Sequence, residues 1–129
     1  MKYYIDTSLA IALVNEKDPN HEVALKTYPN DGKKVISKIV LAEMYSVYSR
    51  KLNLTDEELE AIVNYTLSKC GCEIEEVDLG KVIDLAIKIS SKVKLKTLDL
   101  LHLSASIILD SEILSLDNEI LEAKNKIRK

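Results

Sequence analysis

Apolar residues along this chain follow two patterns that alternate, one typical of strands and one typical of helices. Short runs rich in β-branched and aromatic residues predict strands at 2–5, 35–36, 72–77 and 112–116. Longer stretches with apolar residues at every third or fourth position predict helices at 9–14, 19–26, 39–51, 79–91, 98–109 and 117–123, with another beginning at 55. Strands therefore alternate with helices over most of the chain.

Polar residues that cap helices mark several of the predicted helix starts. Asp18 stands before Pro19, a residue favoured at the first helical position. Thr55 and Glu58 have the spacing of a capping box, and Thr97 is placed to cap the strongly apolar helix that follows it.

An alternation of this kind is typical of an α/β fold. We expect a three-layer α/β/α arrangement with a short, mostly parallel central sheet and right-handed crossovers, in one domain covering residues 1–129. Ligands of such sheets bind beyond the carboxyl ends of the strands. Residues that directly follow a strand are therefore the first candidates for function.

Composition agrees with one ordinary folded domain. The chain has 129 residues, of which 47% are apolar and 30% charged, and this excludes collagenous, disordered and disulfide-scaffold proteins. The formal net charge is -3, so no global basic field is present to attract nucleic acid. Any contact with nucleic acid must come from a local basic patch.

The cysteines and the N-terminus favour a cytoplasmic protein. Cys70 and Cys72 are separated by Gly71 alone, a spacing that strains a disulfide and differs from the common zinc and redox motifs. The N-terminus begins with a strand pattern rather than a signal peptide, and no apolar run approaches the roughly 20 residues of a membrane helix. We expect two reduced thiols and no membrane contact.

Four acidic residues stand out from the rest. Asp6 and Asp117 follow predicted strands, where each taken alone is also explained as a turn or cap residue. Glu43 and Asp99 lie on apolar faces of predicted helices without an evident Lys or Arg partner. Burying a lone carboxylate costs on the order of several kcal/mol, so these two require a cationic partner, hydrogen bonds or a metal.

Carboxylates that converge on one sheet edge predict a divalent metal site. Four neighbouring carboxylates raise one another's pKa unless a cation lies among them. Mg²⁺ and Mn²⁺ prefer oxygen ligands and leave room for substrate phosphates. Such a site suits phosphodiester hydrolysis, in which metal ions activate a water and stabilise the leaving oxygen.

Several segments that contain these acids resemble the PIN-domain family, and most closely the small VapC-type ribonuclease toxins of toxin-antitoxin pairs. The likeness runs from residue 2 to about residue 123 and is carried by YYIDTS, DPNHEVALK, VLAEMYSVYSR, TLDLLHLSAS and ILSLDNEI. TLDLLHLSAS is the most specific of these segments. The family often carries a basic residue after its fourth acid, where this chain has Asn118, and the family's fifth strand is not evident here.

The resemblance implies a metal-dependent endoribonuclease with a PIN-like fold. It places the catalytic and metal-binding acids at Asp6, Glu43, Asp99 and Asp117, with Mg²⁺ or Mn²⁺ as the cofactor. It also implies RNA as the substrate, an antitoxin protein as a partner, and a homodimer.

Small hydroxyl residues and lysines complete the predicted substrate site. Thr7, Ser8 and Ser115 match the hydroxyl positions that neighbour the acids in the family. Lys92, Lys94 and Lys96 precede the Asp99 helix, and the C-terminus is basic at Lys124, Lys126, Arg128 and Lys129. We expect the first lysine group to contact the RNA backbone, although such charges are more often solvated surface.

His102 has two interpretations. It lies three residues after Asp99 and can be a metal ligand, but hard ions prefer oxygen, so a buried histidine held by hydrogen bonds is favoured.

Two other functions compete with the nuclease. A PIN-like module without useful catalysis would bind RNA or assemble with other proteins, which the presence of all four acids disfavours. A phospho-receiver-like domain would need a second acid beside Asp6 and a lysine at a late strand end, and neither is present.

Overall fold

The computed structural model of the chain describes residues 1–127. Arg128 and Lys129, the last two residues of the basic C-terminus considered for phosphate binding, lie outside the described residues. No helix in the described part is long and apolar enough to cross a membrane. Cys70 and Cys72 are both free thiols.

The centre of the fold is a parallel sheet of four strands. Its strands, within residues 1–127, are β1 (Lys2–Ile5), β2 (Lys33–Ile36), β3 (Cys72–Ile74) and β4 (Glu112–Leu114). They lie in the order β3-β2-β1-β4, with Tyr4 opposite Val35 on one side and opposite Ile113 on the other. The predicted α/β class and parallel sheet are confirmed, and no fifth strand is found among the described residues.

Seven helices connect and cover these strands in the described part of the chain. They are α1 (Thr7–Val14), α2 (His21–Thr27), α3 (Lys38–Lys51), α4 (Asp56–Cys70), α5 (Leu79–Val93), α6 (Thr97–Ile108) and α7 (Asn118–Ile127). Helices α1 to α4 pack against one another, and α5, α6 and α7 form a second group. Right-handed crossovers place these two groups on opposite faces of the sheet.

The core lies on both sides of the two central strands. Tyr4, Ile5, Val35 and Ile36 are fully buried, as expected for a parallel sheet covered on both faces. Helix residues such as Leu9, Met44, Val82, Leu103 and Ile120 close the two layers over them. This packing fixes the strand ends from which the functional side chains project.

Some predicted boundaries are wrong by a few residues. Strand β3 ends at Ile74, although the Glu75 N–H still donates to the Ile36 carbonyl at 2.9 Å, and β4 ends at Leu114. Helix α2 begins at His21 rather than at Pro19, because the Asp18 carboxylate accepts the Asn20 N–H at 2.8 Å in a preceding turn.

The predicted caps have mixed outcomes. The Thr55 and Glu58 capping box is present at the start of α4. Thr97 is not the cap of α6, since the capping position is Lys96 and no side chain bonds to the first helical N–H groups there. The first turn of α6 therefore keeps free backbone donors next to Asp99.

Candidate active site

Asp6 lies where two central strands end side by side. It follows β1 directly, and its N–H donates to the Leu114 carbonyl of β4 at 3.0 Å. The side chain caps α1, with Oδ1 accepting the Thr7 N–H at 2.9 Å. Asp6 is only 5% exposed, so its carboxylate is held rigidly at the carboxyl edge of the sheet.

Ser115 connects Asp6 to the turn that carries Asp117. The Ser115 hydroxyl donates to Asp6 Oδ2 at 2.7 Å and accepts the Asp117 N–H at 3.0 Å. Asp117 then caps the start of α7 by accepting the Glu119 N–H at 2.8 Å. The Ser8 hydroxyl is the second donor to Asp6 Oδ2, at 3.2 Å.

Glu43 reaches the same edge from α3 and is held by His102 of α6. His102 Nε2 lies 2.8 Å from Glu43 Oε1, and the histidine is fully buried. Single ligand atoms of Asp6, Glu43 and His102 all lie within 4.8 Å of one another. Two of the predicted acids are thus brought into one compact group.

The pKa of Glu43 reflects these contacts. Burial acts to raise it, but the His102 hydrogen bond, the nearby Thr7 hydroxyl and the charges of His102 and Arg50 together outweigh burial, and the pKa lies below its ordinary value. Thr7 is itself buried, and its hydroxyl has no partner of good hydrogen-bonding geometry among the described residues. A buried hydroxyl oxygen is therefore available beside the acids.

Asp99 joins this group through electrostatics. It is half-buried in the first turn of α6, and its pKa is raised by burial and then by the charges of Asp117, Asp6 and Glu43. Like charges have this effect only at close range, so Asp99 lies near each of the other three predicted acids.

The donor set fits a hard divalent cation. Its members are carboxylate oxygens with hydroxyl groups beside them, and none of the four acids has a lysine or arginine within ion-pair distance in residues 1–127. Mutual repulsion within such a set is relieved by Mg²⁺ or Mn²⁺. Asp6, Glu43, Asp99 and Asp117 are the residues that can hold the ion.

The three predicted lysines lie at the junction of α5 and α6. Lys92 is in the last turn of α5, Lys94 follows it in the left-handed conformation (φ 54°), and Lys96 precedes α6. All three are exposed. Lys94 lines a shallow depression together with Glu119, Glu122 and Lys126 of α7, so both acids and a second lysine surround it.

Two depressions adjoin Glu43. An apolar groove of about 660 Å³ lies between α3, the segment after β3 and the start of α6, with Ile39, Leu98 and Leu101 in its lining. A smaller and more polar depression of about 190 Å³ includes Ser8 and Lys51. A bound chain can therefore approach the acids from either side of Glu43.

Tyr4 and Ser37 belong to the site, although sequence reasoning did not select them. The Tyr4 hydroxyl lies 3.1 Å from His102 Nδ1 and 2.7 Å from the Ser37 hydroxyl. Ser37 follows β2 directly, a position that marks candidates in this fold class, and Tyr4 had no such signal because it lies inside a strand.

The arrangement defines a class of protein: an α/β domain with a group of acidic side chains at the carboxyl edge of a parallel sheet. Comparison of the sequence with protein families identifies which member of this class it is. The chain belongs to the PIN domain family, whose sequence profile matches residues 3–126. Among curated protein sequences, no match is found.

Solved structures from toxin-antitoxin systems have the same fold. The VapBC2 complex of Rickettsia felis, solved with a DNA fragment from its promoter, has a TM-score of 0.71 and 19% identity over 97% of this chain and 95% of that chain. VapC20 of Mycobacterium tuberculosis, a Sarcin-Ricin loop cleaving toxin, has a TM-score of 0.72 and 15% identity over 94% of each chain. VapBC-1 of nontypeable Haemophilus influenzae has a TM-score of 0.69 and 13% identity over 97% of this chain and 93% of that chain.

Proposed function

We propose that this protein is a metal-dependent endoribonuclease that hydrolyses RNA phosphodiester bonds and acts as the toxin of a toxin-antitoxin pair. The observation that carries the proposal is the acidic group at one sheet edge, in which ligand atoms of Asp6 and Glu43 lie within 4.8 Å of each other and the charges of Asp6, Glu43 and Asp117 act on Asp99. Membership of the PIN domain family supports it. Further support comes from the structurally similar VapC20, which is described as a Sarcin-Ricin loop cleaving toxin.

Each acid has a distinct part in the proposed site. Asp6 and Glu43 are held by hydrogen bonds from Ser115 and His102, so they are preorganised ligands. Asp99 is proposed as a further direct ligand, and Asp117 as a residue that binds the ion through water or holds a second ion. A bound Mg²⁺ or Mn²⁺ supplies an activated water and neutralises charge on the phosphate.

Surface features on both sides of the acids support an RNA substrate. Thr7, Ser8 and Ser115 place hydroxyl groups beside the acids and are proposed to contact the substrate. The Ser8 and Ser115 hydroxyls donate to Asp6 in this structure, so either would donate to a phosphate only after its hydrogen turned away from Asp6. Lys92, Lys94 and Lys96 are proposed to attract the RNA backbone toward the start of α6. The apolar groove beside Glu43 can receive an unstacked base.

The remaining properties of the proposed toxin stay predictions. The related VapBC structures support an antitoxin partner, and a homodimer and a cytoplasmic location are expected as in the sequence analysis. A single domain over residues 1–129 is likewise expected.

The proposal is tested by incubating a labelled mixed RNA pool with the purified protein and Mg²⁺ or Mn²⁺. We expect cleavage that EDTA abolishes and that Asp6→Asn and Asp99→Asn each reduce by at least about 100-fold, because each removes a charge that holds the ion. Asp84→Asn is the matched control, since Asp84 is an exposed acid of α5 that contacts none of the site. It should cleave as the wild type does.

Two results would contradict the nuclease. One is cleavage that persists in both site variants, which would indicate a contaminating ribonuclease. The other is a folded wild-type protein that binds the metal and RNA but cleaves no member of the pool, which would favour the non-catalytic RNA-binding or assembly module.

A further inference from the structure

A buried series of hydrogen bonds connects the backbone of α3 to the Glu43 carboxylate. The Ser37 hydroxyl accepts the Ile39 N–H at 3.2 Å and lies 2.7 Å from the Tyr4 hydroxyl. Tyr4 is 3.1 Å from His102 Nδ1, and His102 Nε2 is 2.8 Å from Glu43. Ser37, Tyr4 and His102 are all 0% exposed, so water does not compete for these bonds.

The groups at the two ends of this hydrogen-bond series determine which atom donates and which accepts in each of its bonds. Glu43 Oε1 lies 2.8 Å from His102 Nε2, and a carboxylate oxygen in this contact accepts the hydrogen bond. His102 Nε2 must then carry a hydrogen. In a neutral imidazole Nδ1 is left as an acceptor, which the Tyr4 hydroxyl satisfies, while the Tyr4 oxygen accepts from Ser37.

From this geometry we infer that His102 is a positioning residue for Glu43, with its own ring oriented by Tyr4 and Ser37. The inference rests on the proposed function, in which Glu43 is a metal ligand. A histidine locked on both nitrogens leaves one oxygen of Glu43 occupied and presents the other in a fixed direction. Hydrogen-bonded partners of this kind orient metal ligands and raise their affinity.

The same geometry argues against His102 as a direct ligand. Its Nε2 atom is within 4.8 Å of atoms from Asp6 and Glu43, so direct ligation is the natural alternative. Ligation through Nε2 would require loss of the Nε2 hydrogen and of the bond to Glu43, whereas Nδ1 is already occupied by Tyr4. The two roles therefore differ in whether the Nε2 hydrogen survives metal binding.

The first test follows the ring hydrogens by long-range proton–nitrogen NMR, at a pH where both imidazoles are neutral. We expect the Nε2–H form for His102 without metal and after saturation with Mg²⁺. His21 is an internal reference, because its Nδ1 lies 2.8 Å from the Ala12 carbonyl and must carry the hydrogen there. An Nδ1–H form for His102, or loss of the Nε2 hydrogen with Mg²⁺, would overturn the inference.

The second test measures Mn²⁺ affinity by titration without RNA. Loss of the donor in His102→Leu should weaken binding by roughly 10–100-fold, while His102→Gln, which offers an amide donor to Glu43, should recover most of that loss. Binding by His102→Leu at wild-type affinity would contradict a positioning role, and so would equal weakening in both variants.

Tyr4→Phe keeps the test decisive if the His102 variants do not fold. The aromatic ring at position 4 remains, but His102 Nδ1 loses its hydrogen-bond partner. Mn²⁺ affinity should therefore fall several-fold, and His102 should populate both neutral tautomers. Tyr48→Phe is the matched control, because it deletes a buried hydroxyl bonded to Thr66 at 2.7 Å and should leave the affinity unchanged. Wild-type affinity in Tyr4→Phe, or an equal loss in Tyr48→Phe, would refute the role of Tyr4.

These measurements separate the inference from the proposed nuclease activity. If the protein binds Mn²⁺ with the expected dependence on His102 and Tyr4 but cleaves no RNA, the positioning role holds and the nuclease proposal fails. If the wild type binds no Mn²⁺, the positioning role fails as well.

Discussion

Individual acidic residues in this protein differ in how much the fold supports them. Asp6 accepts hydrogen bonds at both oxygens, from Thr7, Ser8 and Ser115, whereas Asp99 faces three other acids. Hydrogen bonds therefore stabilise the Asp6 carboxylate, whereas burial and the neighbouring acids disfavour the charged form of Asp99. A pKa raised by burial and neighbouring acids in a group that can bind a cation is the pattern expected of a functional site.

The charge of Asp99 should destabilise the metal-free protein. An acid with a pKa raised by folding stabilises the fold at low pH and loses this contribution as the pH rises through its folded pKa. Asp99→Asn should therefore raise the thermal unfolding midpoint at neutral pH, with a difference that vanishes toward pH 3.8, the ordinary Asp value. Saturating Mg²⁺ should stabilise the wild type more than the variant.

Scanning calorimetry over a pH series, with and without Mg²⁺, checks this expectation. Asp84→Asn again serves as the control, since an exposed acid outside the group should show no such dependence. A metal-free Asp99→Asn protein that is less stable than the wild type at neutral pH would show that Asp99 is held by attraction instead.

At the scale of single elements, the turns limit what can be substituted. Gly32, before β2, has φ 85°, and an added Cβ would lie 2.7 Å from the Tyr3 ring and 2.9 Å from the Met1 carbonyl oxygen. Gly71, which ends α4, has φ 67° but open space around the Cβ position. Substitution of Gly71 therefore introduces backbone strain alone, whereas substitution of Gly32 introduces backbone strain and steric overlap.

Alanine substitutions at these glycines should differ in cost. Gly71→Ala should lower the free energy of unfolding by about 1 kcal/mol, the cost of a left-handed residue with a side chain. Gly32→Ala should cost clearly more, because Tyr3 or the β1 backbone must also move. Urea unfolding measures the free energy of unfolding of both variants. An equal cost at the two positions would indicate that the turn before β2 moves to accommodate the added Cβ.

At the scale of the whole molecule, charge is distributed unevenly around a net value of -3. The acids gather at one sheet edge, and the exposed Lys92, Lys94 and Lys96 lie at the junction that leads into α6. An RNA backbone approaching the acids needs this local positive charge to offset the negative one.

Replacing these three lysines with alanine should weaken RNA binding and reduce its dependence on salt. Each phosphate contact contributes about 0.7 to the slope of log affinity against log salt for single strands, so the slope should fall by about 2 if all three contact phosphates. Fluorescence anisotropy at several salt concentrations measures the RNA affinity. All proteins compared should also carry Asp6→Asn, so that the RNA is not cleaved during the measurement.

The matched control replaces Lys17, Lys26 and Lys69, which are exposed lysines of the layer formed by α1 to α4. It changes the net charge equally, so it should leave the slope unchanged if the effect is local. Identical slopes for the two triple variants would refute the assignment of the RNA path.

The sequence by itself determined the fold class, and it selected the four acids that are proposed to form the site. Periodicity and capping reflect local physics, and Asp6, Glu43, Asp99 and Asp117 were each recognisable from immediate neighbours and from the family resemblance. Two predictions about helix starts were wrong. The Asp18 carboxylate forms a turn before α2, and Thr97 does not provide the side-chain cap of α6.

Only the tertiary structure decided how these residues combine. Ser115 and Asp6 are 109 positions apart in the chain, and Tyr4 and His102 are 98 apart, so no local pattern specifies their contact. Tyr4 looked like an ordinary strand residue until packing brought its hydroxyl between Ser37 and His102. Strand order and helix packing set these distances, because burial leaves each polar group only the partners that the fold brings near.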